Sequence, residues 1–129
     1  MAAEAKVKEA FEAYMQAFMH EDYQAIADMV SVPAVLCQSA DTIEITSAEM
    51  VVKLMQQLRA SLPSNYATTD IIKSDVTMLN ASLAALHGVY ERHTASGGLI
   101  SRDQGLYLFA LDEAGWKMCC ITVMADLPT

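Results

Sequence analysis

The chain has 129 residues, 53% of them hydrophobic, and 16 acidic against 8 basic side chains give a formal charge of −8. That length fits one domain spanning 1–129, able to bury about two thirds of the surface that the unfolded chain exposes. The acidic balance and the lack of clustered Lys and Arg exclude sequence-independent binding to nucleic acid or to anionic membranes, and no apolar run approaches the ~20 residues of a membrane span.

Val7, Ala10, Phe11, Tyr14 and Phe18 recur at three-and-four spacing, which predicts an amphipathic helix over 3–20. Asp22 is placed to cap a second, short helix through Met29, with Ile26, Met29 and Val30 inward and Pro33 as its stop. Residues 35–38 and 42–46 are rich in β-formers and flank turn-prone Ser39, Ala40 and Asp41, the pattern of a short hairpin. Thr46 and Glu49 have capping-box spacing before the stripe Val51, Leu54, Met55, Leu58 and Leu62, a third helix ending at Pro63. Beyond Asn65 four long strands follow, at 66–79, 83–94, 103–111 and 116–124, separated by turn residues. Helices first and strands afterwards indicate an α+β domain with an antiparallel sheet. The first eleven residues, with Glu4, Lys6, Lys8 and Glu9, lack the pattern of a secretory signal, so cytoplasmic residence is the expectation. Cys37, Cys119 and Cys120 then read as reduced thiols.

This element order, together with "FMHEDYQAIADMV" after the first helix and "LDEAGWKM" before the last strand, resembles the nuclear transport factor 2-like superfamily over nearly the whole chain, on its polyketide cyclase-like and ketosteroid isomerase-like side. The resemblance implies a curved antiparallel sheet wrapped around three N-terminal helices, a cone-shaped α+β barrel with an apolar pocket on its concave side. It does not choose among the isomerases, dehydratases, cyclases, transport proteins and non-catalytic binders that share such a fold.

Strand parity predicts the pocket lining. Trp116, Met118, Cys120, Thr122 and Met124 share one face of the last strand and are assigned inward, opposite Lys117, Cys119, Ile121 and Val123. Tyr107, Phe109 and Leu111 follow inward on the strand before it, and Leu86, Gly88, Tyr90 and Arg92 on the one before that, where Gly88 lets the sheet bend.

Likeness to the ketosteroid isomerases implies residue roles at three positions. Those enzymes hold a developing enolate with a first-helix Tyr and a late-strand acid, and they abstract a proton with an Asp near the first hairpin. Tyr14 matches the first position, while the acid position falls on Tyr107 and the base position on Gln38, which cannot abstract a proton. Asp41 could replace the base only through a shifted hairpin register, and Met55 stands where a supporting Tyr is found. Tyr14 and Tyr107 are therefore the candidate oxyanion donors, with Gln38, Met55, Tyr90, Arg92, Phe109, Trp116 and Cys120 as ligand-binding residues.

No cofactor is implied. His87, Glu91 and His93 on one strand, with His20, Glu21 or Asp22, carry ligand-type atoms but no diagnostic metal spacing, and they read as a polar outer face. The expected function is binding of an apolar or carbonyl-bearing small molecule, with cofactor-independent isomerase, dehydratase or cyclase chemistry left open. The alternative is a non-catalytic interaction module whose outer sheet face, at His87, Val89, Ile121 and Val123, forms a homodimer or recruits another protein, and a homodimer through that face is expected under either reading.

Overall fold

The computed structural model describes residues 2–38 and 41–123. Two helices come first, α1 (Ala2–Met19) and α2 (Tyr23–Asp28), and a third, α3 (Ala48–Ala60), follows the first two strands. The strands are β1 (Val30–Gln38), β2 (Asp41–Ile45), β3 (Tyr66–Asn80), β4 (Leu83–Thr94), β5 (Leu99–Asp112) and β6 (Gly115–Val123). They form one curved, unclosed sheet in the order β2-β1-β6-β5-β4-β3. The four long strands β3 to β6 form an antiparallel meander as expected, and β1 pairs antiparallel with β2; only β1 and β6 run parallel, which corrects the expected antiparallel sheet at the one junction where chain order breaks.

The apolar stripe of α1 folds as its spacing dictates: Val7, Phe11, Tyr14, Met15, Ala17 and Phe18 are buried, and the helix lies across β3, β4 and β6. It has no basic residue in its last turn. Arg59 of α3 supplies that charge from outside, its Nε donating to the Phe18 carbonyl at 3.4 Å and its Nη2 to the Met19 carbonyl at 3.5 Å. The chain turns through Glu21, at φ 58°, into Asp22, whose carboxylate accepts from the Ala25 amide and caps α2.

Two local expectations shift. Pro33 does not stop α2, which ends at Asp28; Val30 instead enters β1 and pairs with Met118. Pro33 is tolerated inside β1 because the ladder to β6 is irregular between Val30 and Val35 and pairing to β2 begins only at Ala34. The cap of α3 is Ser47 rather than Thr46, accepting from the Met50 amide at 3.2 Å, which leaves Val51 and Met55 fully buried. The turn residues Ser39 and Ala40 lie outside the described residues, as do Met124 and the side chain of Val123.

The larger correction concerns β6. Its register against β5 runs Tyr107 to Ile121, Leu108 to Cys120, then Phe109 to Met118, so Cys119 is an extra, bulged residue. One inserted residue reverses the alternation. Met118 and Ile121 are both fully buried on the concave side, while Cys120, opposite Leu108 and Val35, faces the outer side. The expected inward position of Cys120 and the expected outward position of Ile121 are both overturned for this reason. Leu111 also departs from its expected inward place, being 43% exposed at the sheet end.

Candidate functional site

At the open end of the concave face a cavity of about 180 Å³ lies between the C-terminal half of α1, the end of α3 and the sheet. Tyr14, Met15 and Phe18 come from α1, Gln38 from the end of β1, and Leu58, Ser61 and Leu62 from the last turn of α3 and beyond it. Thr69 of β3, Tyr90 and Arg92 of β4 and Tyr107 of β5 complete it. The strand side chains meet there because Thr69 is opposite Arg92, and Tyr90 and Arg92 are two apart on one face.

Three tyrosines form its floor. Tyr14, Tyr90 and Tyr107 are each at most 5% exposed, and the rings of Tyr14 and Tyr107 stand 6.0 Å apart at 60°. Phe11 backs the Tyr107 ring at 4.9 Å. The hydroxyl of Tyr107 is directed as a donor toward that of Tyr90, and that of Tyr14 points to Met55 Sδ at 3.8 Å. A thioether is a weak acceptor, so the proton of Tyr14 remains available for a stronger one. Thr69 is paired with the Tyr66 hydroxyl.

Burial pushes the Tyr14 hydroxyl far above its ordinary pKa; Tyr90 adds to the rise and Arg92 partly opposes it. Burial likewise raises Tyr107 well above its ordinary value, reinforced by Tyr90 and Tyr14, and raises Tyr90 against the pull of Arg92. All three are therefore neutral donors at physiological pH. Above pH ~10 the unfolded chain loses phenolic protons that the fold retains, so stability is fully present below that pH and falls as pH rises through the raised folded values. A phenolate absorbance titration should show Tyr14, Tyr90 and Tyr107 ionising only together with the loss of near-ultraviolet circular dichroism; their titration in the folded protein near pH 10 would contradict this arrangement.

Arg92 brings the cation. Its Nη1 donates to Asp103 Oδ2 at 2.9 Å, and the same oxygen accepts from Ser101 Oγ at 3.0 Å. The guanidinium carbon lies 5.3 Å from the centroid of the Tyr90 ring. Its Nε is buried and has no hydrogen-bond partner.

Of the side chains singled out from the sequence, Tyr14, Gln38, Tyr90, Arg92 and Tyr107 surround the cavity. Met55 is fully buried behind Tyr14, and Phe109 belongs to the packed core. Trp116 lies at the other end of α1, in a shallow hollow with Ala3, Lys6, Ala10 and Leu111, and Cys120 is on the outer face. Met15, Phe18, Leu58, Leu62, Ser61 and Thr69 were not anticipated. Nor was Asp103, although it shares strand parity with Tyr107 and that signal was available.

The outer-face histidines are held by protein partners: His87 Nε2 lies 2.7 Å from Gln104 Oε1, and His93 bridges Asp70 and Glu91. Among the described residues no group of three or more His, Cys, Asp or Glu is arranged to hold a metal ion, and no helix is long and apolar enough to cross a membrane.

A family model described as "NTF2-like protein (DUF6841)" matches residues 3–126. Among curated proteins no sequence relative matches the chain. Similar solved structures include a protein of unknown function with a cystatin-like fold from Nostoc punctiforme, with a TM-score of 0.81 at 7% identity, covering 95% of this chain and 90% of that one. A second Nostoc punctiforme domain of unknown function, also cystatin-like, has a TM-score of 0.77 at 14% identity and covers 99% of this chain and 80% of its own. A protein from Shewanella frigidimarina described as a candidate ketosteroid isomerase has a TM-score of 0.73 at 10% identity, covering 90% and 92%. At these identities the likeness establishes the fold.

Proposed function

Because the chain belongs to the NTF2-like family designated DUF6841, we propose that it is a small-molecule-binding domain whose cavity takes a compact apolar ligand by an oxygen acceptor. The observation that carries this reading is the convergence of three buried, neutral tyrosines and one arginine on a single hollow. Drug-sized ligands fill pockets of about 300–1,000 Å³. At about 180 Å³ this one suits a single ring or short chain, not a fused polycycle.

Tyr14 and Tyr107 would meet the acceptor, and donors held in a dry cavity can polarise a carbonyl. Proton abstraction needs a base within hydrogen-bond reach of the substrate, and among the described lining residues there is neither carboxylate nor imidazole. Gln38 stands at the mouth as an amide, suited to orient a ligand. Binding, with catalysis not required, is therefore the reading favoured.

Isothermal titration against a panel of single-ring ketones, aldehydes, amides and acids tests it. We expect at least one member to bind, with affinity about two- to tenfold weaker in Tyr14→Phe or Tyr107→Phe, the worth of one hydrogen bond. No binding by any member, or binding indifferent to both substitutions, overturns the proposal.

A further inference from the structure

The unpaired nitrogen of Arg92 narrows the ligand class. We infer that the cavity selects a monocarboxylate, its carboxyl group docking on Arg92 beside the tyrosine hydroxyls. This inference rests on the binding role proposed above and adds the charge of the ligand to it.

The geometry starts from the two edges of a guanidinium. Nη1 is committed to Asp103, on the β5 strand beside β4. Nε belongs to the opposite edge, the one it shares with Nη2, and that edge has the two-donor spacing that fits a carboxylate side-on. A buried N–H of a cation without an acceptor is costly, and native proteins rarely leave one so. Here it belongs to a residue whose partly exposed side chain lines a hollow, with Nε itself just beneath the surface, so that a docking carboxylate must turn the guanidinium slightly to reach it.

The remaining lining sets the sign of the charge. Arg92 is the one ionised side chain among the described lining residues, and the hydroxyls of Tyr14, Tyr90 and Tyr107 are held protonated. A ligand ammonium would find a cation and no carboxylate in the lining. A carboxylate finds a cation and hydroxyl donors, and a charge-assisted bond is roughly twice as strong as a neutral one. Asp103 sets the limit on this preference, because it already neutralises part of the guanidinium charge. Met15, Phe18, Leu58 and Leu62 supply the apolar wall for the rest of the molecule, and the volume holds it to about one ring.

Benzoate and benzamide, alike in shape and different in charge, separate this inference from the broader one. Titrated into the wild-type protein, benzoate should bind at least about tenfold more tightly than benzamide. Asp103→Asn removes the competing carboxylate and should strengthen benzoate binding a further several-fold while leaving benzamide within about twofold. Arg92→Met should abolish the preference. Should that variant fail to fold with Asp103 left unpaired, the wild-type comparison and Asp103→Asn still decide. Equal or tighter binding of benzamide, or weakened benzoate binding in Asp103→Asn, overturns the carboxylate assignment while the cavity's binding role stands. Failure of both compounds and of every neutral ring ketone removes both.

Discussion

Phe11→Ala is expected to cost about 3–5 kcal/mol of stability, a large part of the 5–15 kcal/mol typical of a whole domain. Phe11 is fully buried and stands between Tyr107, 4.9 Å away, and Tyr14, 6.5 Å away. Its ring rests on the bare backbone of β4: a Cβ added at Gly88 would come within 2.7 Å of Phe11 Cζ. The ring cannot be replaced by collapse of its neighbours, because they belong to helix and sheet frames on both sides. Urea denaturation should show a lower midpoint with the slope preserved. The same contact sets the sign of a double-mutant cycle. Gly88→Ala alone overpacks against the ring, whereas in the Phe11→Ala background the added methyl enters the vacated space, so the double variant should be more stable than the sum of the two single effects. Additive effects would mean that Phe11 and Gly88 do not bear on each other.

Gly105→Ala should be destabilising by about 1–3 kcal/mol and should also damage the cavity. A Cβ at Gly105 would lie 2.6 Å from Tyr107 Oη and 2.9 Å from the Thr122 carbonyl oxygen. The second atom is backbone and cannot rotate away, since Thr122 is tied to Leu106 through its Oγ1 on both the amide and the carbonyl. Strain therefore passes to the Tyr107 hydroxyl, which must shift from its place beside Tyr90. The expected result is a lower denaturation midpoint together with weaker binding of any cavity ligand. A loss of stability with unchanged affinity would separate Gly105 from the position of Tyr107.

The elements of this fold were legible where one periodicity ran undisturbed. α1 could be read from Val7, Phe11, Tyr14 and Phe18, and β4 from its alternation, whose inward set of Leu86, Gly88, Tyr90 and Arg92 is the set the structure turns inward. Parity failed on β6 because a bulge changes the count of residues without any mark in composition: Cys119 and Cys120 are consecutive, and nothing in their chemistry tells which is the extra one. The parallel β1–β6 pairing was equally hidden, being a choice of neighbour made by the whole sheet and not by either strand. Within the site, Tyr14, Tyr90, Arg92 and Tyr107 were accessible through helix position and strand parity. Thr69 and Leu58 were not, since their presence depends on where β3 and α3 end in space. Arg92 illustrates the remaining gap, for its type suggested a charge but only its pairing through Nη1 shows which edge is left over.

The parallel pairing of β1 with β6 also governs the order in which the molecule can assemble. Val35 finds its partner Cys120 some 85 residues later in the chain, so an interior junction of the sheet is built from its first and last strands. Closing so long a loop is slow relative to forming the adjacent β3–β4 and β4–β5 pairs. A chain emerging from the ribosome would therefore hold the β1–β2 hairpin apart from the β3–β4–β5 ladder until β6 arrives, since β6 is the strand that joins them into one sheet.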